Sequence, residues 1–498
     1  MKVINVNLTS YSFLGYSIAF LTIALWCYIK YIRLVNFFKK QRIPSPKPKL
    51  LTITALNEYF KTCSALHVLQ IDGIKKYGNV YGIFIGRIPC YVIADVDIIK
   101  QITVDDFCHF PNRPTIRNGF LDDGLFNLQD CQWKRIRNIL APAFSAVKMR
   151  QLVPLMNSSI KAHLHRLANF VNTAQPIDYT RWANDVTLEI IIANVFGMTA
   201  NIQTDREDKL VQCATSMFQI RSYVAILTFL CPSFARYWIM LDRKFCNSLQ
   251  YIEFMIKAII QQRKKMDNDE KSCQDLLQLM LNSAVGDHSI KLIDDEIICQ
   301  AITFLMAGYR TTGTSITLLG YMLALHPEIQ DKVIAEVKKI CLDEPEITYH
   351  MILQMEYLEM VLQEVLRLYP PDFFILRRTK YDIKMKTYHF NKGAIILIPV
   401  YGIHHHQLYW VEPEKFDPDR FTKEEKGKRE PCCYLPFGYG PRNCIGTRFS
   451  IMQIKLVLAS ILRRYKFTTC QQTEIPLQLE STSILGPKNS IILQVQSN

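Results

Sequence analysis

Ten residues constrain this chain more than any others: Phe437-Gly438-Tyr439-Gly440-Pro441-Arg442-Asn443-Cys444-Ile445-Gly446. Gly438 and Gly440 permit a tight backbone turn, and Pro441 stiffens it. A helical pattern follows, from about Ile445 to Arg464. A thiolate at the N-terminal end of a helix is stabilised by the dipole and by free backbone N–H groups. Donors aimed at a sulfur ligand tune the metal it binds. Arg442 can meet an anion, and Phe437 can shield the sulfur from water. A lone cysteine is usually a small buried hydrophobe. A frame of Phe, two Gly, Arg and Cys at set offsets marks Cys444 instead as a candidate metal ligand.

Phe437, Gly440, Arg442, Cys444 and Gly446 match the pattern FxxGxRxCxG. On these residues the chain resembles the cytochrome P450 superfamily. The region 369–421 and the cysteine loop look most similar to animal microsomal family-3 enzymes and their relative thromboxane synthase. The resemblance implies a mainly α fold with small β-sheets. It also implies haem b (iron protoporphyrin IX) as cofactor, with Cys444 as thiolate ligand.

Other motifs stand in the order such a fold requires. Glu364 and Arg367, three apart, share one helix face and can pair. Alone that is a weak signal, because most such pairs are solvated. By resemblance, Glu364 and Arg367 form a buried structural network with Arg420 of Pro418-Asp419-Arg420-Phe421. Trp133 and Arg137 lie four apart on one face, and both can bind a carboxylate. The resemblance places them on the haem propionates, joined by Arg377 and Arg442 and, more weakly, by Arg113.

Thr303, Ala307 and Thr311 recur every fourth residue in a helical run from about Asp295 to Ala324, so they line one face. Small Ala307 and Gly308 would let a flat cofactor and oxygen approach, and the Thr311 hydroxyl could relay protons. Here the chain departs from the family. Arg310 stands where an acid usually precedes the threonine. A guanidinium, with a pKa above ~12, donates no proton near neutral pH. Arg310 therefore leaves that role to water or another carboxylate, anchors a substrate carboxylate, or serves in an ion pair without function. Thr311 and Arg310 are the catalytic candidates. By resemblance the substrate pocket draws on Phe120, Leu121, Phe126, Thr303, Met306, Ala307, Phe373, Phe374 and Leu485, with Asp372 and Arg310 as polar anchors.

The remaining pattern is mostly helical from about Trp133 to Lys339. Short strands are expected over Tyr77–Ile99 and Asp382–Pro399, with a turn at Lys392-Gly393. A terminal hairpin is expected over Ile475–Val495, broken at Gly486-Pro487. The apolar stretch Tyr223–Leu241 reads equally as a buried helix or as a shallow dip into a membrane.

Fifteen scattered cysteines, an odd number, argue for reduced thiols rather than a disulfide framework. A net charge of +14 suits an anionic membrane or an acidic partner. No nucleic-acid motif accompanies it. No charge occurs between Lys2 and Lys30, and Lys30, Arg33, Lys39, Lys40 and Arg42 follow. This predicts a single N-terminal transmembrane helix with a luminal N-terminus. The expected domains are a luminal N-terminus and anchor over 1–30, a basic, Pro-rich linker over 31–50 and a haem-thiolate catalytic domain over 51–498. The expected location is the endoplasmic reticulum membrane, with the catalytic domain in the cytosol.

No flavin or Rossmann fingerprint is present, so electrons would come from outside. The resemblance implies an NADPH-dependent cytochrome P450 reductase, with cytochrome b5 as an optional second donor. Lys134, Arg135, Lys423, Lys426, Lys428 and Arg429 form the expected docking patch. The activity implied is insertion of one oxygen atom from O2 into a lipophilic substrate. Two alternatives stay open. One is a reductase-independent haem-thiolate isomerase or peroxygenase acting on oxygenated lipids, and the other is a non-catalytic haem-binding protein.

Overall fold

A computed structural model describes the chain outside 1–15, 47–64, 86–87, 115–120, 199–208, 219–223, 225–233, 266–274, 284–291, 343 and 482 and outside scattered positions between 17 and 34. The principal helices are α1 (Asp130–Leu140), α2 (Ala146–Thr173), α3 (Tyr179–Phe196), α4 (Arg243–Lys265), α5 (Asp294–Leu325), α6 (Glu356–Leu368) and α7 (Thr447–Leu462). The strands are β1 (Val80–Ile85), β2 (Ile88–Ile93), β3 (Ile177–Asp178), β4 (Ile375–Arg378), β5 (Ile383–Met385), β6 (Tyr388–Phe390), β7 (Ile395–Ile398), β8 (Tyr465–Thr468), β9 (Leu479–Ser481), β10 (Leu485–Pro487) and β11 (Ile492–Ser497). The architecture is mainly helical with small sheets.

Helix α5 organises the rest. Its first turn carries Asp294, Asp295 and Glu296, which suit the positive end of the helix dipole. From Thr312 to Ala324 every residue is buried, as expected of a helix that is apolar all round. It packs most extensively against α3, which is itself almost wholly buried. A Cβ on Gly308 would lie 2.5 Å from Ile191 Cδ1. Close approach of α3 is therefore one reason that Gly308 must be small.

A second, smaller core lies under the sheet β1-β2-β7-β4. β2 and β7 run parallel, with Tyr91 beside Ile396. β4 runs antiparallel to β7 and sets Arg377 beside Ile396. The expected turn near Lys392-Gly393 exists, with Gly393 at φ 82°. A second turn at Lys386, at φ 50°, closes the β5–β6 hairpin.

The terminal hairpin needs correction. Gly486 and Pro487 lie inside β10, which pairs with β9, and β11 leaves to pair with β8 and β3. Proline is tolerated there because β10 is an edge strand, where its missing N–H breaks no ladder.

Most of the expected membrane span lies outside the described residues. The described positions between Tyr16 and Lys40 are helical. Among the described residues no helix is long and apolar enough to cross a membrane. The stretch Tyr223–Leu241 is also only partly described. Its helix Ala235–Met240 leaves Tyr237 and Met240 exposed, as are the adjoining Phe234 and Leu241. Buried-helix packing does not fit that part.

Candidate active site

The cysteine loop is shaped by its glycines. Gly438 and Gly440 adopt φ 73° and 78°, where a side chain is strained. A Cβ on Gly440 would also run into the Thr103 carbonyl. The turn closes with the Cys444 N–H donating to the Phe437 carbonyl at 2.8 Å. Helix α7 starts at Thr447, two residues later than its pattern suggests, with Gly446 as cap. Burial pushes the Cys444 thiol up, while the Gly446 N–H and the Thr447 hydroxyl hold it down. Yet Cys444 keeps accessible surface. A group that is both desolvated and accessible faces an internal chamber.

Helix α5 shows the same signature. Within its buried length Ala307 is exposed, and Thr303, Met306, Arg310 and Thr311 are partly so. Their spacing forms one stripe. The Thr311 hydroxyl donates to the Ala307 carbonyl at 2.6 Å, which leaves its oxygen free to accept.

The loop before α1 closes the chamber beside Thr303. Gln300, fully buried, donates to the Asp123 carbonyl at 2.7 Å and accepts from the Leu125 N–H at 2.8 Å. Sequence reasoning missed Gln300, and nothing in its local pattern singles it out. Leu121 and Phe126 belong to this loop. Leu121 is partly buried and Phe126 is exposed. Phe120 lies outside the described residues. Phe374 keeps accessible surface. Phe373 and Leu485 do not, because they pack together with Tyr401 in a small apolar cluster.

Four guanidiniums gather near Cys444. Arg442 is buried, lies 4.9 Å from the ring centre of buried Trp133, and donates to the carbonyls of Pro111 and Leu128. Arg377 is buried and donates to the Leu376 carbonyl at 2.9 Å. Arg137 binds the Asn443 carbonyl and side chain, both at 2.8 Å. Arg113 donates to the Arg442 carbonyl at 3.3 Å. Neither Arg377 Nε nor Arg442 Nε has a partner. Burial and the neighbouring cations push Arg442 down to about 9 and Arg113, for which burial is the larger cause, to about 10. Arg377 is also lowered well below its ordinary value, by burial first and then by Arg113 and Arg442. Buried cations that repel one another and, among the described residues, form no ion pair with a carboxylate are costly unless an anion joins them.

A second charged group contrasts with this. Glu364 binds Arg367 at 2.7 and 2.8 Å and accepts from the Asp417 N–H at 2.9 Å, with Arg420 Nε at 3.4 Å. Arg367 also donates to the His404 carbonyl at 2.8 Å. His404 bridges onward: its Nδ1 meets the Arg367 carbonyl and its Nε2 accepts from the Leu435 N–H. Leu435 lies two residues before Phe437, so the network reaches the cysteine loop. His404 is a second residue that sequence reasoning missed.

A family profile described as Cytochrome P450 matches residues 44–495. The chain belongs to the cytochrome P450 family. As a P450 it is a haem monooxygenase in class. It is 34% identical over 472 residues to Cytochrome P450 3A41 of Mus musculus, covering 92% of each chain. It is 34% identical over 472 residues to Cytochrome P450 3A2 of Rattus norvegicus, again covering 92% of each. With Cytochrome P450 3A31 of Mesocricetus auratus the identity is 33% over 470 residues and 92% of each. The residues of this P450 fit a thiolate-ligated haem. A cysteine faces a chamber with donors at its sulfur, and the guanidiniums beside it want an anionic partner.

The basic docking patch is largely occupied. Arg135 pairs with Glu296, Lys428 with Glu425 at 2.6 Å and Lys423 with Glu356 at 3.4 Å. Arg429 lies 3.9 Å from the Trp410 ring centre and Lys426 is 5.8 Å from that of Phe421. Lys134 is exposed.

Proposed function

We propose that this P450 inserts one oxygen atom from O2 into a lipophilic substrate, with electrons from an NADPH-dependent reductase and Cys444 as the axial ligand. One observation carries the reading: an accessible, desolvated thiol lies beside guanidiniums that form no ion pair among the described residues, two of them buried with unpartnered Nε atoms. Trp133, Arg113, Arg137, Arg377 and Arg442 would hold the propionates. Bound haem supplies the redox chemistry and the oxygen activation.

The chain's own residues do the rest. The Gly446 N–H stabilises negative charge on sulfur, and the Thr447 hydroxyl donates to the Cys444 carbonyl at 2.9 Å. Ala307 leaves room on the face of α5, and Thr311 Oγ1, its proton committed to Ala307, accepts a hydrogen bond from an incoming donor. Arg310 cannot supply that proton, so water or another carboxylate must carry it. Phe437 limits water at the sulfur. Leu121, Phe126, Met306 and Phe374 favour apolar ligands. Glu364, Arg367 and Arg420 brace the loop and take no part in the chemistry. The N-terminal segment would anchor the chain in the endoplasmic reticulum membrane, with residues 31–50 as a linker to the catalytic domain over 51–498. Lys134 and the paired cations around it would meet the reductase, with cytochrome b5 as an optional donor.

The reduced, carbon-monoxide-bound protein should absorb at the wavelength characteristic of thiolate ligation. Cys444→Ala should abolish this, and an unchanged spectrum would remove Cys444 as ligand. Turnover should need NADPH, reductase and O2. Product from a hydroperoxide alone, with none from NADPH and O2, would establish a peroxygenase instead.

A further inference from the structure

Among the described residues, two carboxylates come near the guanidinium cluster, and they differ. Asp130 is committed: it accepts from Lys380 at 2.8 Å and from Asn112 at 3.1 Å. Asp372 has no hydrogen bond or ion pair among the described residues. It keeps accessible surface although its neighbours Pro371 and Phe373 are buried. Burial pushes its carboxyl up, and Arg113 pulls it back. It also raises the Cys444 thiol. Asp372 thus shares the desolvated but accessible character of Cys444 and faces the same chamber.

Its position is rigid. The Pro371 carbonyl accepts from the Leu485 N–H at 2.9 Å. The Phe373 carbonyl accepts from the Tyr401 N–H at 3.1 Å and from Gln70 at 3.0 Å. Phe373 is thereby turned into the cluster with Tyr401 and Leu485, Phe374 packs partly against it with its ring 4.7 Å from that of Phe373, and Asp372 is left accessible. The same contacts place the segment beside α5. Gly486, next to Leu485, has Thr314 Cγ2 3.2 Å from where its Cβ would stand, and Thr314 lies one turn beyond Thr311. Arg113 does not satisfy Asp372. It makes no hydrogen bond or ion pair with Asp372, and two of its donors go to the carbonyls of Phe126 and Arg442.

A fixed, desolvated carboxylate that no donor among the described residues reaches is costly until a donor arrives. We propose that Asp372 is a specificity-determining residue that accepts a hydrogen bond from a hydroxyl or protonated amine on an otherwise apolar substrate. This rests on the monooxygenase reading above and deepens it. Buried acceptors discriminate strongly against ligands that cannot donate.

The test uses the full-length holoprotein and three ligands on one dodecyl chain. The first ends in an alcohol, the second in a protonated diisopropylamine too hindered to ligate iron, and the third is the plain hydrocarbon. Dissociation constants come from haem spectral shifts. Asp372→Ala should weaken the alcohol and the amine about 10- to 100-fold, the range for hydrogen bonds to charged groups, and leave the hydrocarbon unchanged. Asp372→Asn, which keeps an acceptor without charge, should hold the alcohol and lose the amine. Loss of the amine alone in both variants would identify the ammonium as the donor, and loss of both ligands in Asp372→Ala the shared chemistry. Equal affinities in wild type and Asp372→Ala would overturn the proposal. So would equal weakening of all three ligands, or haem loss without a change in donor preference, since Asp372 would then belong to the cradle. The carbon-monoxide spectrum separates the two levels. If it is normal, such failures sink only this proposal, and if thiolate ligation is absent the monooxygenase reading goes too.

Discussion

The two groups of buried charge beside the cysteine loop are built in opposite ways. Around Glu364 every charge finds its partner inside the protein. Arg367 and Arg420 both pair with one carboxylate, Arg420 through an Nε that is 3.4 Å away and not hydrogen-bonded, and the carbonyls of His404, Lys415 and Glu412 accept from their outer nitrogens. Around Arg377 and Arg442 cations face cations, and two Nε atoms are left over. Closed networks are structural, whereas a buried cluster of one sign is a receptor for the other. The motif positions alone do not reveal this, because both groups read as arginines near a carboxylate or a tryptophan.

The contrast predicts opposite responses to substitution. The largest effect belongs to the closed network. Glu364→Ala strands two arginines and should cost about 3–5 kcal/mol, read as loss of the cooperative urea transition or of soluble protein. Near-normal stability would mean that the network is not the brace. The open cradle should behave in reverse. Arg377→Met removes a buried cation without a carboxylate, so the haem-free chain should be as stable or more so in thermal denaturation. The haem-loaded chain should surrender haem to an acceptor protein about 10- to 100-fold more readily. Destabilisation of both forms would erase the distinction.

A pH titration sharpens the same comparison at smaller scale. Burial, His405 and Arg367 lower His404 well below its ordinary 6.5, and burial takes His405 to about 4. Both are neutral in the folded chain. As pH falls below 6.5 the unfolded chain binds protons first, so their contribution is full above 6.5 and is lost as pH drops towards 4. The slope should reach at most about 1.4 kcal/mol per pH unit for each histidine. Urea midpoints measured from pH 7 to pH 5 check it, and a flat profile would mean that both histidines titrate in the fold as they do in the unfolded chain. The smallest effect is expected at Gln300. Gln300→Leu should cost about 1 kcal/mol and raise the KM for substrate by loosening the loop 121–126, with haem retention unchanged. A parallel loss of haem would place that loop in the cradle.

Local sequence carried the local parts. The ten-residue loop could be read because its glycines must adopt positive φ and its cysteine precedes a helix. The stripe Thr303–Ala307–Thr311 was visible because helical periodicity alone puts those residues on one face. Family resemblance then supplied the pairing of Glu364 with Arg420. Only tertiary structure decided the rest. Pro487 ended in a strand because the edge of β9 was available. Gly308 served α3 through Ile191, and Phe373 turned away from the chamber because Tyr401 and Gln70 hold its carbonyl. Gln300, His404 and Asp372 acquired their significance from partners more than 30 residues away or, for Asp372, from the lack of one. Periodicity and turn chemistry act over a few residues and are written in the chain, whereas desolvation and hydrogen-bond satisfaction are set by whatever segment folding brings alongside.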